Sequence, residues 1–219
     1  MKKESKIILM VILGCVVMAL TDGWWQPGYA IKSAVKILFF LGLPIIFLRK
    51  EIKTKFFGFK TETLPKLLGL GFGIFGFILA AYFILGPYFD FSSVVSGLEE
   101  QLGVNAGNFI FVAIYISVAN SLLEEYFFRG IAFLELKSVT SRRFAYWFSA
   151  VMFALYHTAM LIGLFDWYLI GLMLIALTVG GLIFNFINEK EKSILASWTV
   201  HLFANLAINT VGLILFGIL

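Results

Sequence analysis

The stretch NSLLEEYFFRG, residues 120–130, places the charged side chains of Glu124, Glu125 and Arg129 inside an apolar run long enough to cross a membrane. A charged side chain at the centre of a bilayer costs on the order of 2.5 kcal/mol or more unless it is paired or faces a polar cavity. Glu125 and Arg129 are four residues apart, so they share a helix face and can form an ion pair. Glu124 lies about 100° around the helix from Glu125 and is left without a partner in that pattern. Glu124 is therefore the first candidate for chemistry.

The two histidines of the chain lie in two further apolar runs. His157 stands in FALYHTA, and His201 begins a polar stripe that continues with Asn205 and Asn209 at four-residue intervals. At about 1.5 Å of rise per residue, Glu124, His157 and His201 fall in the cytoplasmic half or near the midplane of their predicted spans. These side chains can therefore meet in one pocket, although depth alone does not show that their helix faces do so.

This set of residue types suits peptide-bond hydrolysis by two mechanisms. A desolvated Glu can act as a general base on water, and a neutral His beside it can orient that water. A second His with an Asn one helical turn away can donate hydrogen bonds to a developing oxyanion. Two His and one Glu are equally the ligand set of a catalytic zinc site, here Glu124, His157 and His201. The residue types alone leave both mechanisms open.

Structural roles compete with these assignments. Glu124 could be an acid satisfied by a buried polar neighbour such as Asn120, and each His could be a hydrogen-bonded core residue. Asn side chains also hold membrane helices together, which is an alternative role for Asn205. Asn209 and Glu135 are expected to be structural.

The elements that must position these residues are membrane-spanning helices. Of the 219 residues, 61% are hydrophobic and 14% are charged, whereas a soluble domain is about half apolar and about a quarter charged. The basic, apolar N-terminus lacks a signal-peptide cleavage site and is expected to be a retained span. The fold class is therefore all-α, a polytopic membrane helical bundle of about seven transmembrane helices, with a short interfacial helix between the third and fourth. Runs of the length that crosses a bilayer place the spans at residues 6–21, 30–48, 66–86, 108–136, 144–165, 167–187 and 194–216.

The distribution of basic residues predicts the orientation. Every Lys and Arg except Lys32, Lys36 and Arg129 falls on alternate connections, which marks the cytoplasmic side. We therefore expect a multi-pass protein of the plasma membrane with its N-terminus in the cytoplasm. Lys32 and Lys36 are expected to snorkel outward, with a wet interior of the bundle as the alternative. The basic clusters lack interleaved aromatic residues, so no nucleic-acid partner is expected. The residues that set the orientation are Lys2, Lys3, Lys6, Arg49, Lys50, Lys53, Lys55, Lys60, Lys66, Lys137, Arg142, Arg143, Lys190 and Lys192.

Three short motifs follow one another along the second half of the chain. EEYFFRG has the form EExxxR, FALYH the form FxxxH, and HLFAN the form HxxxN. Together they resemble the CAAX protease and bacteriocin-processing (CPBP) family, which comprises the type II CAAX prenyl endopeptidases and their bacterial Abi relatives. The resemblance covers about residues 105–216.

The resemblance implies a role for each motif residue. By motif position, Glu124 and His157 would activate the attacking water, and His201 with Asn205 would polarise the scissile carbonyl. Arg129, paired with Glu125, would hold its helix in place. The chain would then divide into residues 1–104, with three spans and an extracytoplasmic loop, and a catalytic helical bundle at residues 105–219.

The predicted function is that of an intramembrane endopeptidase of the glutamic type, without a cofactor. The absence of HExxH favours this mechanism only mildly, so zinc and a metalloprotease mechanism stay open. The expected partners are a peptide or protein substrate, with or without a lipid modification, and the lipid bilayer.

Two other functions remain as alternatives. The first is a non-catalytic membrane protein of the same family that binds peptides or confers bacteriocin immunity. The second is an ion or proton transporter, against which the sequence shows no inverted repeat. Rhomboid-type GxSG and aspartyl-type GxGD motifs are absent.

Overall fold

The computed structural model describes residues 1–52, 56–58 and 60–219. Lys53 and Lys55, two of the basic residues that predict the orientation, lie outside these described residues. The all-α helical bundle and its seven predicted spans are confirmed. The spans are α1 Lys3–Trp25, α2 Tyr29–Leu48, α3 Thr61–Tyr88, α5 Phe109–Glu135, α6 Arg142–Leu161, α7 Trp167–Glu191 and α8 Ile194–Leu215.

A shorter helix, α4, lies between the third and fourth spans at Ser92–Leu102. It ends at Gly103, whose positive φ of 64° provides the left-handed residue that commonly terminates a helix. A helix was expected in this mixed segment, and its location at a membrane interface stays a prediction.

Helix α5 lies at the centre of the bundle. Every residue from Glu125 to Glu135 is buried, and α1, α2, α6, α7 and α8 all contact this helix. Phe127 stacks on Phe40 of α2 with ring centroids 4.1 Å apart, and Phe128 meets the same ring edge-on at 5.4 Å. Because protein surrounds the part of α5 from Leu123 to Glu135, its charged residues face other helices and not lipid.

Two parts of α5 are wound as wider π-helical turns, Ile116–Asn120 and Glu125–Glu135. A single α-helical turn, Ser121–Glu124, separates them. Wide turns of this kind are frequent at functional sites, and here the change of winding falls between Glu124 and Glu125. It alters the angles at which both carboxylates leave the helix relative to a regular α-helix.

Helix α6 is interrupted at His157. The regular helix runs from Arg142 to Tyr156, and a short helix, Thr158–Leu161, follows the interruption. The predicted span 144–165 therefore ends earlier than expected. His157 lies where the carbonyl groups of the last regular turn are free to accept hydrogen bonds from side chains.

Glycines bring neighbouring helices close together in two places. A Cβ atom at Gly71 of α3 would lie 2.4 Å from the ring of Phe203 on α8. A Cβ atom at Gly181 of α7 would lie 3.0 Å from the backbone of Ala150 on α6. The absence of a side chain at these two positions therefore allows the paired helices to pack closely.

Lys32 and Lys36 differ from their predicted positions. Lys32 Nζ lies 2.7 Å from Asp22 at the end of α1, and Lys36 is buried, with 5% of its surface exposed. The expectation that both side chains snorkel outward is wrong, because each ammonium group finds a carboxylate inside the protein that offsets the cost of its burial. Glu135, expected to be structural, forms an ion pair with Lys3 of α1.

Candidate active site

His201 of α8 joins the two adjacent glutamates of α5. His201 Nδ1 lies 2.9 Å from Glu125 Oε1, and His201 Nε2 lies 3.7 Å from Glu124 Oε2. The first distance is a hydrogen bond, and the second is too long for one. All three side chains are buried. The structure therefore brings together residues of the first and third motifs.

The Glu124 carboxylate is held through one of its two oxygens. Oε1 accepts hydrogen bonds from Lys36 Nζ at 2.6 Å, Tyr156 Oη at 2.5 Å and Asn120 Nδ2 at 2.8 Å. Glu124 lacks an ion-pair partner in its own helix but has a hydrogen-bond partner there, Asn120 one turn earlier on α5, which is the polar neighbour offered as an alternative in the sequence analysis. These donors occupy Oε1 and leave Oε2 facing His201.

His157 joins this cluster through its ring contacts. Its ring centroid lies 4.2 Å from that of Tyr156 and 4.9 Å from that of Phe153, and Tyr156 in turn donates a hydrogen bond to Glu124. Nδ1 lies 2.7 Å from the Phe153 carbonyl oxygen. Because a carbonyl only accepts, Nδ1 carries a proton and donates it, which makes Nε2 of the neutral ring a hydrogen-bond acceptor.

Arg129 and Glu125 form the expected pair. Arg129 Nη1 lies 3.6 Å from Glu125 Oε1, and the other oxygen of Glu125 accepts a hydrogen bond from Ser197 of α8. The guanidinium carbon of Arg129 lies 4.0 Å from the ring centroid of Phe153 and 5.0 Å from that of Phe184. These ion-pair and cation–π contacts support the role expected of Arg129, which is to hold its helix in place.

Asn205 lies one turn along α8 from His201 and is half-buried. Its Nδ2 donates to the carbonyl of Ile116 at 3.3 Å. Asn209 donates to the carbonyl of Ala113 at 3.1 Å and to Ser117 Oγ at 2.9 Å, which is the structural role expected of it. The amide of Asn205 has a second N–H, and its role as an oxyanion donor stays a prediction.

The contacts of His201 restrict what its ring can do. An ionised Glu125 is only an acceptor, so Nδ1 carries the proton that joins them. Nε2 therefore carries a proton only when the ring is a doubly protonated imidazolium. The oxyanion role assigned to His201 requires that charged form, whereas a neutral ring would accept a hydrogen bond from water at Nε2.

The zinc alternative, with Glu124, His157 and His201 as ligands, gains no support from this arrangement. Within the part of the chain that the structure describes, no group of three or more His, Cys, Asp and Glu side chains could hold a metal ion. One oxygen of Glu124 already accepts from Lys36 at 2.6 Å. An ammonium group at that distance opposes a divalent cation on the same carboxylate.

The sequence analysis did not assign three residues to this cluster. Lys36 is a charged residue inside a predicted span, which marks it as unusual, but the sequence does not indicate which residue it pairs with. Ser197 lies four residues before His201 and extends the polar stripe of α8 by one turn. Tyr156 had no distinguishing signal, because a Tyr in an apolar helix is most often packing.

Comparison with known proteins adds one match. Residues 106–207 match the family model described as Rce1-like, type II CAAX prenyl endopeptidase. The matched segment contains Glu124, His157, His201 and Asn205, and it excludes Lys36. The resemblance found in the three motifs is therefore confirmed. No curated protein and no solved structure matches the chain.

Proposed function

We propose that this protein is an intramembrane endopeptidase in which Glu124 activates water, because residues 106–207 match the Rce1-like type II CAAX prenyl endopeptidase family model. One observation carries the proposal within this family. Glu124 has one oxygen held by three donors and the other turned toward His201, inside a bundle of spanning helices. A carboxylate fixed in this way has a free oxygen in a defined direction, as a general base requires.

The first half of the proposed reaction forms the tetrahedral intermediate. A water molecule hydrogen-bonds to Glu124 Oε2 and to His157 Nε2. The water gives one proton to Oε2 while its oxygen bonds to the carbonyl carbon of the substrate. The electron pair of the C=O bond moves to the carbonyl oxygen, and the Nε2–H of a protonated His201 and the amide of Asn205 stabilise the resulting oxyanion.

The second half breaks the peptide bond. The oxyanion re-forms the C=O bond, the C–N bond breaks, and the leaving amine takes the proton held by Glu124. Glu124 returns to its carboxylate form, so the cycle consumes one water and no other reactant. No metal ion takes part in these steps, and we propose that the protein needs none.

The proposed substrate is a peptide or protein that reaches the site within the membrane. The family name points to substrates with a prenylated cysteine. The residues of this chain do not distinguish a lipid-modified substrate from an unmodified one. We place the enzyme in the plasma membrane as a multi-pass protein with a cytoplasmic N-terminus, on the strength of the charge distribution.

Substitution of Glu124 tests the proposal. The assay uses purified protein and a fluorogenic peptide with a C-terminal CAAX sequence, prepared with and without a prenyl group on its cysteine. Glu124→Gln keeps the shape of the side chain and removes the base, so we expect kcat to fall by about 10²–10⁴-fold.

Glu135→Gln is the matched control, because Glu135 is a second buried, ion-paired Glu on the same helix. We expect it to retain wild-type kcat. Full activity in Glu124→Gln would remove the proposed base. A wild-type protein that binds both peptides and cleaves neither would support the non-catalytic alternative.

A further inference from the structure

Helix α2 contributes a cation to the site from outside the family segment. We infer that Lys36 is a positioning residue that keeps the Glu124 carboxylate charged and oriented for its role as base, an inference that rests on the proposed function. Lys36 precedes the matched residues 106–207 by a long stretch of sequence. The family comparison therefore assigns it no role.

The geometry shows how Lys36 orients the carboxylate. Its Nζ donates to Glu124 Oε1 at 2.6 Å, to Asn120 Oδ1 at 2.6 Å and to Tyr156 Oη at 2.5 Å. Asn120 and Tyr156 in turn donate to the same Oε1. Lys36 thus contacts both neutral donors and the oxygen to which they donate, so it orients Asn120 and Tyr156 toward Oε1. Because Oε1 is held in this way, the other oxygen, Oε2, is directed toward His201.

Charge balance in the bundle gives a second reason. Glu124 and Glu125 are buried neighbours, each facing one buried cation, Lys36 and Arg129 respectively. Without Lys36, two carboxylates would share one guanidinium group in a region shielded from water. A buried carboxylate that loses its counter-charge is strongly disfavoured as an anion, and Glu124 must be an anion to take a proton from water.

Lys32 provides a matched control on the same helix. It lies one turn before Lys36, and its Nζ pairs with Asp22 at 2.7 Å. Both lysines are therefore largely buried, ion-paired residues of α2. They differ in their partners. Lys32 pairs with Asp22 at the end of α1, whereas Lys36 pairs with Glu124, the proposed base.

The experiment measures kcat and KM of purified full-length variants with the CAAX reporter peptide. Lys36→Met removes charge and donors, Lys36→Gln keeps a donor without the charge, and Lys36→Arg keeps the charge. We expect Met and Gln to lower kcat by about 10²-fold with a much smaller change in KM, because a misplaced base slows the chemical step. Arg should restore a large part of the lost rate, and Lys32→Met should keep wild-type kcat.

The outcomes separate this inference from the proposed function. If Lys36→Met does not give folded protein, Lys36→Gln carries the test, and thermal unfolding identifies the folded variants. A folded Lys36→Met or Lys36→Gln variant with wild-type kcat would overturn the inference, even where Glu124→Gln is inactive. Equal activity of wild type and Glu124→Gln would instead overturn the proposed function. Equal loss of kcat in Lys32→Met and Lys36→Met would show a structural role for both lysines and would also overturn the inference.

Discussion

At the scale of single residues, the site holds two carboxylates and two permanent cations together inside a bundle of membrane-spanning helices. Lys36 compensates Glu124, and Arg129 compensates Glu125. The aromatic rings of Phe153 and Phe184 cover the guanidinium group and replace part of its hydration. His201 lies between the two carboxylates and couples the pairs.

This pairing predicts a large stability effect at Arg129. Arg129→Met leaves Glu125 without its cation, and we expect the free energy of unfolding to fall by about 3–5 kcal/mol, the usual cost of breaking a buried pair from one side. Adding Glu125→Gln to that variant should recover part of the loss. Denaturant unfolding in detergent measures both values.

Arg142→Met is the control for this comparison, because Arg142 also pairs with a Glu but its side chain is 62% exposed. An exposed ion pair is screened by solvent and contributes little to stability, so the control should unfold almost as the wild type does. Similar losses at Arg129 and Arg142 would contradict the account of the buried pair.

The sequence predicted some of these residues and not their partners. Glu124, His157 and His201 stand out because each is ionisable and lies in an apolar span. The partnership of Lys36 with Glu124 joins α2 to α5 across 88 positions of sequence, and helical spacing describes only neighbours on one helix. Residues that act across helices were therefore the ones missed or misplaced.

At the scale of helices, the close contact between α3 and α8 depends on Gly71, which has no side chain to separate them. Gly71→Ala would place a Cβ atom 2.4 Å from the Phe203 ring, so the ring must shift or the two helices must move apart. We expect a loss of about 1–3 kcal/mol in the free energy of unfolding, as for other overpacked contacts.

Gly73→Ala is the matched substitution on the same helix, since nothing lies within 4 Å of a Cβ atom at that position. It should be neutral or slightly stabilising, because Ala favours helix more than Gly does. Thermal unfolding of the two variants in the same detergent compares them. A Gly71→Ala variant as stable as Gly73→Ala would contradict the close contact.

Helix positions were easier to predict than helix shapes. All seven spans were found from apolar length, because a bilayer requires a continuous run of about 20 residues. The wide turns of α5 and the interruption of α6 at His157 were not found. Both features depend on packing between helices, and the pattern of hydrophobic residues along the chain does not indicate that packing.

At the scale of the whole molecule, the two predicted parts of the chain share one site. Residues 1–104 were expected to supply three spans and a loop, and residues 105–219 the catalytic bundle. Lys36 of α2 bonds to Glu124 of α5, and α1 and α2 contact the centre of α5. The first spans therefore help to build the site, while the orientation of the N-terminus stays a prediction from charge.

The central claim, that Glu124 activates a water molecule without a metal ion, is tested most directly by oxygen-isotope labelling. Chelator-treated enzyme cleaves the CAAX reporter peptide in ¹⁸O-labelled water under single-turnover conditions, and mass spectrometry reads the new carboxyl terminus. The account predicts that the first turnover places one ¹⁸O atom in the product, at the rate of untreated enzyme. An unlabelled product would mean that an enzyme carboxylate attacks the substrate itself, and activity lost to the chelator and restored by zinc would mean metal catalysis. Either result would contradict the account.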